Sequence, residues 1–296
     1  MKRNKQILLF FALIVCISII AFKISSNPLI SVTYLILFSA TITYVFNLLT
    51  KEYSWTDRLW STLPIVISLF YYFKTPNQVL LTISILIIFW GLRLSFNFAR
   101  KGGYSETEDY RWAYLRKQIN SPFKWQLFSL LFIAFYQQIL FIAFTLPLYL
   151  LSSKPIRANK YTYIFSIIAI LFVVLETIAD QQQWIFQESK YGRLTKREKL
   201  EKDYKQGFLS SGLFSISRHP NYLGELGFWY SIYFLCSSTI NSFINWTLIG
   251  PLLLTTLFIG SVIFTENISQ NKYPLYKEFY KKRVAPVFPL IWKILK

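Results

Sequence analysis

The chain has 296 residues, 54% of them apolar and 19% aromatic, with a formal charge of +18 and only 16% charged residues. A soluble chain carries about a quarter charged residues, so disordered, collagen-like and ordinary cytosolic classes are excluded. Two cysteines in apolar runs and one histidine exclude a disulfide scaffold and a multi-histidine metal centre; the metal set is expected to be none.

In chain order, apolar runs long enough to cross ~30 Å of hydrocarbon are expected near 7–22, 30–49, 60–73, 79–98, 125–151, 161–179, 218–237 and 245–265. The first resembles a signal peptide, but Phe22 and Lys23 follow it where small residues would be cleaved, so it is read as a membrane helix. The third is short and contains Pro64, so seven or eight spans are expected. With eight, 26 basic residues fall on one side of the membrane, not counting Arg93 at a helix end. Five (Lys23, Lys74, Lys154, Arg157 and Lys160) fall on the other. That asymmetry predicts an all-α polytopic bundle with both termini cytoplasmic. It also argues against nucleic-acid binding, because the basic residues flank spans rather than cover a soluble face. N-terminal spans are expected over 1–50 and a polar-lined membrane domain over 51–296. In the loop from Tyr191 to Gly207, Arg197/Glu201 and Glu198/Lys202 at i,i+4 predict a short solvated helix near anionic membrane lipids.

Ionisable residues inside or at the edge of spans are the functional pointers: Glu176, Asp180, Glu225 and Glu266. Glu176 and Asp180 share a helix face with Gln183, Trp184 and Gln187. In GLFSISRHPNYLGELGFWYS, Pro220 opens a helix behind Arg218 and His219, where free N–H groups and the helix dipole favour an anion; Asn221 and Glu225 follow one turn apart. In WGLRLSFNFARKGGYSETEDYRWAYLRK, Arg93 leaves a helix end, and Tyr110, Arg111 and Trp112 suit a phosphate or a nucleotide ring. Dinucleotide-fold glycine, P-loop, nucleophile-elbow and zinc-protease motifs are missing.

SRHPNYLGE, with GLF before it and LETIADQQQWIF about forty residues upstream, resembles the C-terminal region of the steroid 5-alpha-reductase family, more closely its bacterial branch. WGLRLSFNFAR…EDYRWAYLRK and the closing YKEFYKKRVAPVFPL extend the resemblance over roughly 50–296. It implies a multi-span reductase that uses NADPH to reduce a carbon–carbon double bond conjugated to a carbonyl in a lipid-like substrate, in a bacterial inner membrane. It further implies that Glu176, Asp180, Arg218, His219, Asn221 and Glu225 bind the cofactor; among the basic residues Arg93, Arg111 and Arg218 are the candidates for its phosphates. Trp90 stands where the steroid enzymes carry a substrate-holding Tyr, and Asp57 is the nearest early carboxylate, so Asp57 and Tyr110 are the candidate catalytic residues. Membrane methyltransferases of the isoprenylcysteine or phospholipid type, which use S-adenosylmethionine, share an R-H-P-x-Y-x-G segment and form the alternative. A non-catalytic protein that keeps the pocket is the third.

Overall fold

The computed structural model describes residues 2–105, 108–152 and 156–289. Among these the protein is helical without a strand, and it divides into two compact units. One comprises Met1–Ser166 with Ile232–Gly250, the other Ile167–Ser231 with Pro251–Lys296. Six helices are long and apolar enough to cross a membrane: Arg3–Ile24, Pro28–Thr50, Gln78–Arg100, Pro122–Leu150, Lys160–Lys190 and Trp246–Lys272.

The two other expected spans differ. Leu63–Lys74 is apolar but has 12 residues, about 18 Å of helix against the ~30 Å of a hydrocarbon core. Pro220–Thr239 has 20 residues, but Asn221, Glu225 and its run of tyrosine and hydroxyl side chains keep it outside the six. The helix that carries the span expected over 161–179 continues to Lys190, as the face shared by Glu176, Asp180 and Gln187 requires. Its 31 residues give about 46 Å, so the polar stripe from Glu176 onward lies on a helix longer than the hydrocarbon core is thick.

In the first unit, proline and asparagine set the helix boundaries. Asn27 caps Pro28–Thr50 by accepting the N–H groups of Leu29 and Ile30, with Pro28 at the first turn where its missing donor costs nothing. Asn77 caps Gln78–Arg100; Asn120 in the left-handed region and Ser121 make the turn into Pro122–Leu150. Phe10, Phe46 and Trp55 meet edge to face or tilted at 4.7–5.0 Å between ring centroids, which joins the first two helices to the short helix Trp55–Leu59.

A buried polar ladder then holds Pro28–Thr50 against Pro122–Leu150. Gln138 accepts from Ser39 and donates to Thr43 at 2.9 Å, and Asn47 bonds Ser129 at 3.1 Å. Residues 129 and 138 are nine apart, which on an ideal α-helix puts them on opposite faces, about 180° apart. Ser129–Tyr136 instead runs as a π-helix, and its wider turn brings both onto one face. Thr56 donates to the Ile133 carbonyl at 2.7 Å within that stretch. In lipid, such side-chain bonds are what distinguishes a helix contact from contact with acyl chains.

In the second unit the loop after Lys190 is ordered around its own core. Phe186, Leu200, Leu209 and Phe214 form one cluster; Phe208, Tyr276, Tyr280 and Val284 form another. Between them Asp203, buried, accepts from the Ser210 N–H and hydroxyl, the Ser211 hydroxyl and Gln206. The expected solvated helix is a 3-10 turn, Glu198–Leu200, leading into Glu201–Gln206. Its ion pair is Glu201–Lys205 at 2.6 Å rather than Arg197/Glu201, because Arg197 lies in extended backbone ahead of the helix and shares no face with Glu201.

Candidate functional site

The second unit gathers six of the expected residues. Glu176 and Asp180 are buried, at 4% and 5% exposure, one turn apart on Lys160–Lys190. Pro220–Thr239 packs against them through Gly224: a Cβ there would lie 2.6 Å from the Glu176 Cβ and 3.0 Å from its Cα. The close approach at Gly224 is thus between two helices, and it sets Glu176 beside the helix that carries Asn221 and Glu225. Glu225 is buried and accepts from the Trp229 indole at 3.2 Å. Gly212, at φ +61, leaves room for the Gln182 side chain, whose oxygen accepts the Leu213 N–H at 3.0 Å. Gln182 therefore docks the GLF segment, a role that nothing in the sequence motif marked.

Arg218 and His219 face a carboxylate of this chain. Arg218 donates from Nε and Nη2 to Glu266 at 2.6 and 3.1 Å, with Arg218 6% and Glu266 2% exposed. Nη1 donates to the carbonyls of Lys281, at 2.9 Å, and Val284. His219 Nε2 lies 3.2 Å from Glu266 Oε1, its ring stacked on Tyr222, and Lys281 Nζ lies 3.5 Å from Oε2. The backbone N–H groups ahead of the helix are also engaged: Arg218 donates to the Ala285 carbonyl at 2.8 Å and His219 to that of Pro286 at 3.0 Å. The anion at this place is Glu266, and the arrangement seals the 281–286 segment onto the SRHP turn. Glu266 was legible as an intramembrane carboxylate; its partnership with Arg218, 48 positions away, was not. Tyr276 and Tyr280 pack below this cluster, and burial pushes both phenols up.

The first unit holds the remaining candidates. Asp109 caps Tyr110–Ile119 by accepting the Arg111 N–H and takes the Arg111 guanidinium on both oxygens, at 2.9 and 2.8 Å. Asp57 is half-buried and accepts the Trp112 indole N–H at 2.8 Å. Burial and the neighbouring Asp109 carboxylate raise the Asp57 carboxyl to about 6, against the opposing pull of Arg111, Trp112 and Ser54. Burial opposes ionisation of Asp109 too, but the Arg111 charge and hydrogen bonds win and hold it below the usual range. Tyr110, at the first position of its helix, is 61% exposed. Arg93 lies on Gln78–Arg100 beside buried Trp90 and Asn97; the Asn97 oxygen accepts from Arg100 at 2.9 and 2.7 Å.

A family described as "Protein of unknown function (DUF1295)" matches residues 43–284. An uncharacterized protein of the fission yeast Schizosaccharomyces pombe is 32% identical over 282 residues, covering 90% of this chain and 81% of the relative. No solved structure matches. The chain belongs to the DUF1295 family of steroid 5-alpha-reductase-like membrane proteins.

Proposed function

We propose that this protein is an integral membrane reductase that uses NADPH to saturate a carbon–carbon double bond conjugated to a carbonyl in a lipid-like substrate. The observation that carries the reading is the packing at Gly224, which sets the buried Glu176 against the helix bearing Asn221 and Glu225. Buried carboxylates and an amide suit the ribose hydroxyls and carboxamide of a nicotinamide nucleotide. For its phosphates, Lys281 is the more exposed cation of the second unit's cluster, its side chain 41% exposed. Bound there, NADPH would supply a hydride to the β-carbon; the chain has to supply a proton at the α-carbon and a donor that polarises the carbonyl. Taken within the first unit alone, Asp57 has the property such an acid needs, because a carboxyl held near 6 is still partly protonated close to neutral pH, and the Tyr110 phenol is a hydrogen-bond donor of the required kind.

The positive-inside pattern supports an orientation with both termini, and the basic loops, in the cytoplasm, and Leu63–Lys74 and Pro220–Thr239 are our candidates for the seventh and eighth membrane-embedded helices. SRHPNYLGE favours a bacterial inner membrane; the fission yeast relative extends the family to a eukaryote. Cysteines introduced around Lys196 should react with an impermeant maleimide only after the cytoplasmic face is opened. Labelling from outside would overturn the orientation.

Ligand choice tests the activity. In mild detergent NADPH should raise the melting temperature and S-adenosylmethionine should not, and Asn221→Ala or Glu225→Ala should abolish the response while leaving a folded protein. The opposite ligand preference would favour the methyltransferase reading; no response to either would favour the non-catalytic one. The raised Asp57 acidity has a sign of its own. A carboxyl whose folded value lies above its unfolded value adds no penalty at low pH and destabilises as pH rises through that window. Asp57→Asn should therefore gain stability relative to wild type between about pH 4 and about pH 6. A pH-independent difference would sink the assignment of a raised value.

A further inference from the structure

Arg111, Arg193 and Arg218 present the same edge, Nε and Nη2, to a carboxylate: Arg111 to Asp109, Arg193 to Glu188 and Arg218 to Glu266. That edge is the planar fork by which a guanidinium takes two oxygens at once. Arg58 is different. It is fully buried, its guanidinium lies 4.5 Å over the Trp55 ring, and only Nη1 is engaged, with Glu52 Oε2 at 2.8 Å. Nε and Nη2 are buried and make no hydrogen bond among the described residues. Arg3 stands on the other oxygen of the same carboxylate, 3.7 Å from Oε1, and its Nη2 is likewise buried without a hydrogen-bond partner.

Two guanidiniums thus share one carboxylate in a buried place. Among the described residues the nearby acids are occupied: Glu52 Oε1 accepts the Ser54 N–H, Glu108 takes the Tyr53 N–H and Arg116, Asp109 takes Arg111, and Asp57 takes Trp112. A buried guanidinium with three of its five N–H donors unmatched is costly, and a second anion would remove that cost. We propose that Arg58 and Arg3 form a binding site for a phosphoryl oxyanion. A carboxylate has two oxygens, enough for the Arg58 fork alone, whereas a phosphoryl group keeps a third for Arg3. The Arg3 side chain, 28% exposed, is the part of the site nearest to solvent. Phospholipid headgroups and free phosphate share this chemistry. The site lies wholly in the first unit and does not depend on the reductase reading.

The test is thermal unfolding of the full chain in phosphate-free maltoside detergent, titrated with inorganic phosphate against sodium chloride of equal ionic strength. A parallel titration uses mixed micelles of phosphatidylglycerol against diacylglycerol. The expected result is a rise of at least roughly 2–4 °C at saturation in wild type that is absent in Arg58→Lys, which keeps the charge and the Glu52 pair but lacks the fork. A response to both probes identifies free phosphate as sufficient; a response to the lipid alone identifies a headgroup. No rise with either probe, or an equal rise in Arg58→Lys, overturns the site. If Arg58→Lys does not fold, Arg3→Gln decides: the site requires its phosphoryl affinity to fall about tenfold or more, and unchanged affinity overturns it.

Discussion

Glu266→Ala should destabilise the protein by about 3–5 kcal/mol, the usual cost of removing one partner from a buried ion pair. Arg218 would keep its charge at 6% exposure and lose both bonds of its Nε/Nη2 edge, while His219 and Lys281 would lose the carboxylate they face. Glu266→Gln keeps an acceptor but not the charge and should cost less, about 1–3 kcal/mol. Lys281→Ala removes the most exposed of the three cations and should cost no more than about 1 kcal/mol. Urea unfolding in detergent, followed by tryptophan fluorescence, ranks the three. A local readout separates this from general loss of stability. Arg218 also anchors the Lys281 and Val284 carbonyls, and its backbone N–H bonds Ala285. Glu266→Ala should therefore speed tryptic cleavage after Lys282 and Arg283 more than cleavage in the Lys196–Lys205 loop. Equal acceleration at both would mean that the clamp does not hold the 281–286 segment.

The residues differ in how far their roles could be read from the chain alone. Apolar length and the turn residues Asn27–Pro28, Asn77 and Ser121–Pro122 mark the long helices, because hydrocarbon thickness and capping act locally. The carboxylates Glu176, Asp180, Glu225 and Glu266 were visible because charge within an apolar run is costly wherever its partner lies. What sequence spacing did not show is which edge of each arginine is taken. In the chain alone Arg218, Arg111 and Arg58 are equally basic residues at or beyond the ends of apolar runs. Folding closes the first on Glu266 and the second on Asp109, and leaves two nitrogens of the third without a hydrogen bond among the described residues. The π-helix at Ser129–Tyr136 is equally hidden, since SLLFIAFY carries no signal for a wider turn. It is set by the need to satisfy Ser129 and Gln138 on one neighbouring helix.

Gly224→Ala offers the sharpest contest between local preference and packing. In a helix interior alanine is favoured over glycine by roughly 1 kcal/mol, so propensity alone predicts stabilisation. The added Cβ, however, would sit 2.6 Å from the Glu176 Cβ and 3.0 Å from both the Glu176 Cα and the Phe172 carbonyl oxygen. Two of those three atoms are backbone and cannot turn aside; the helices must separate, and overpacking of this kind costs about 1–3 kcal/mol or more. For Gly227→Ala the three nearest atoms all belong to the Phe172 ring, at 2.3–2.5 Å, and a ring can rotate where a backbone cannot. The expected order of melting temperature is wild type, then Gly227→Ala, then Gly224→Ala. Close approach through small residues is a main source of cohesion between helices in lipid, where burial of apolar surface gives no advantage over acyl chains. Separation at Gly224 would also move Glu176 away from the helix of Asn221 and Glu225, so Gly224→Ala should lose the NADPH response while Gly227→Ala retains most of it. If Gly224→Ala were stabilised and still responded to NADPH, helix propensity would outweigh the contact, and the carboxylate and amide would not need this packing to work together.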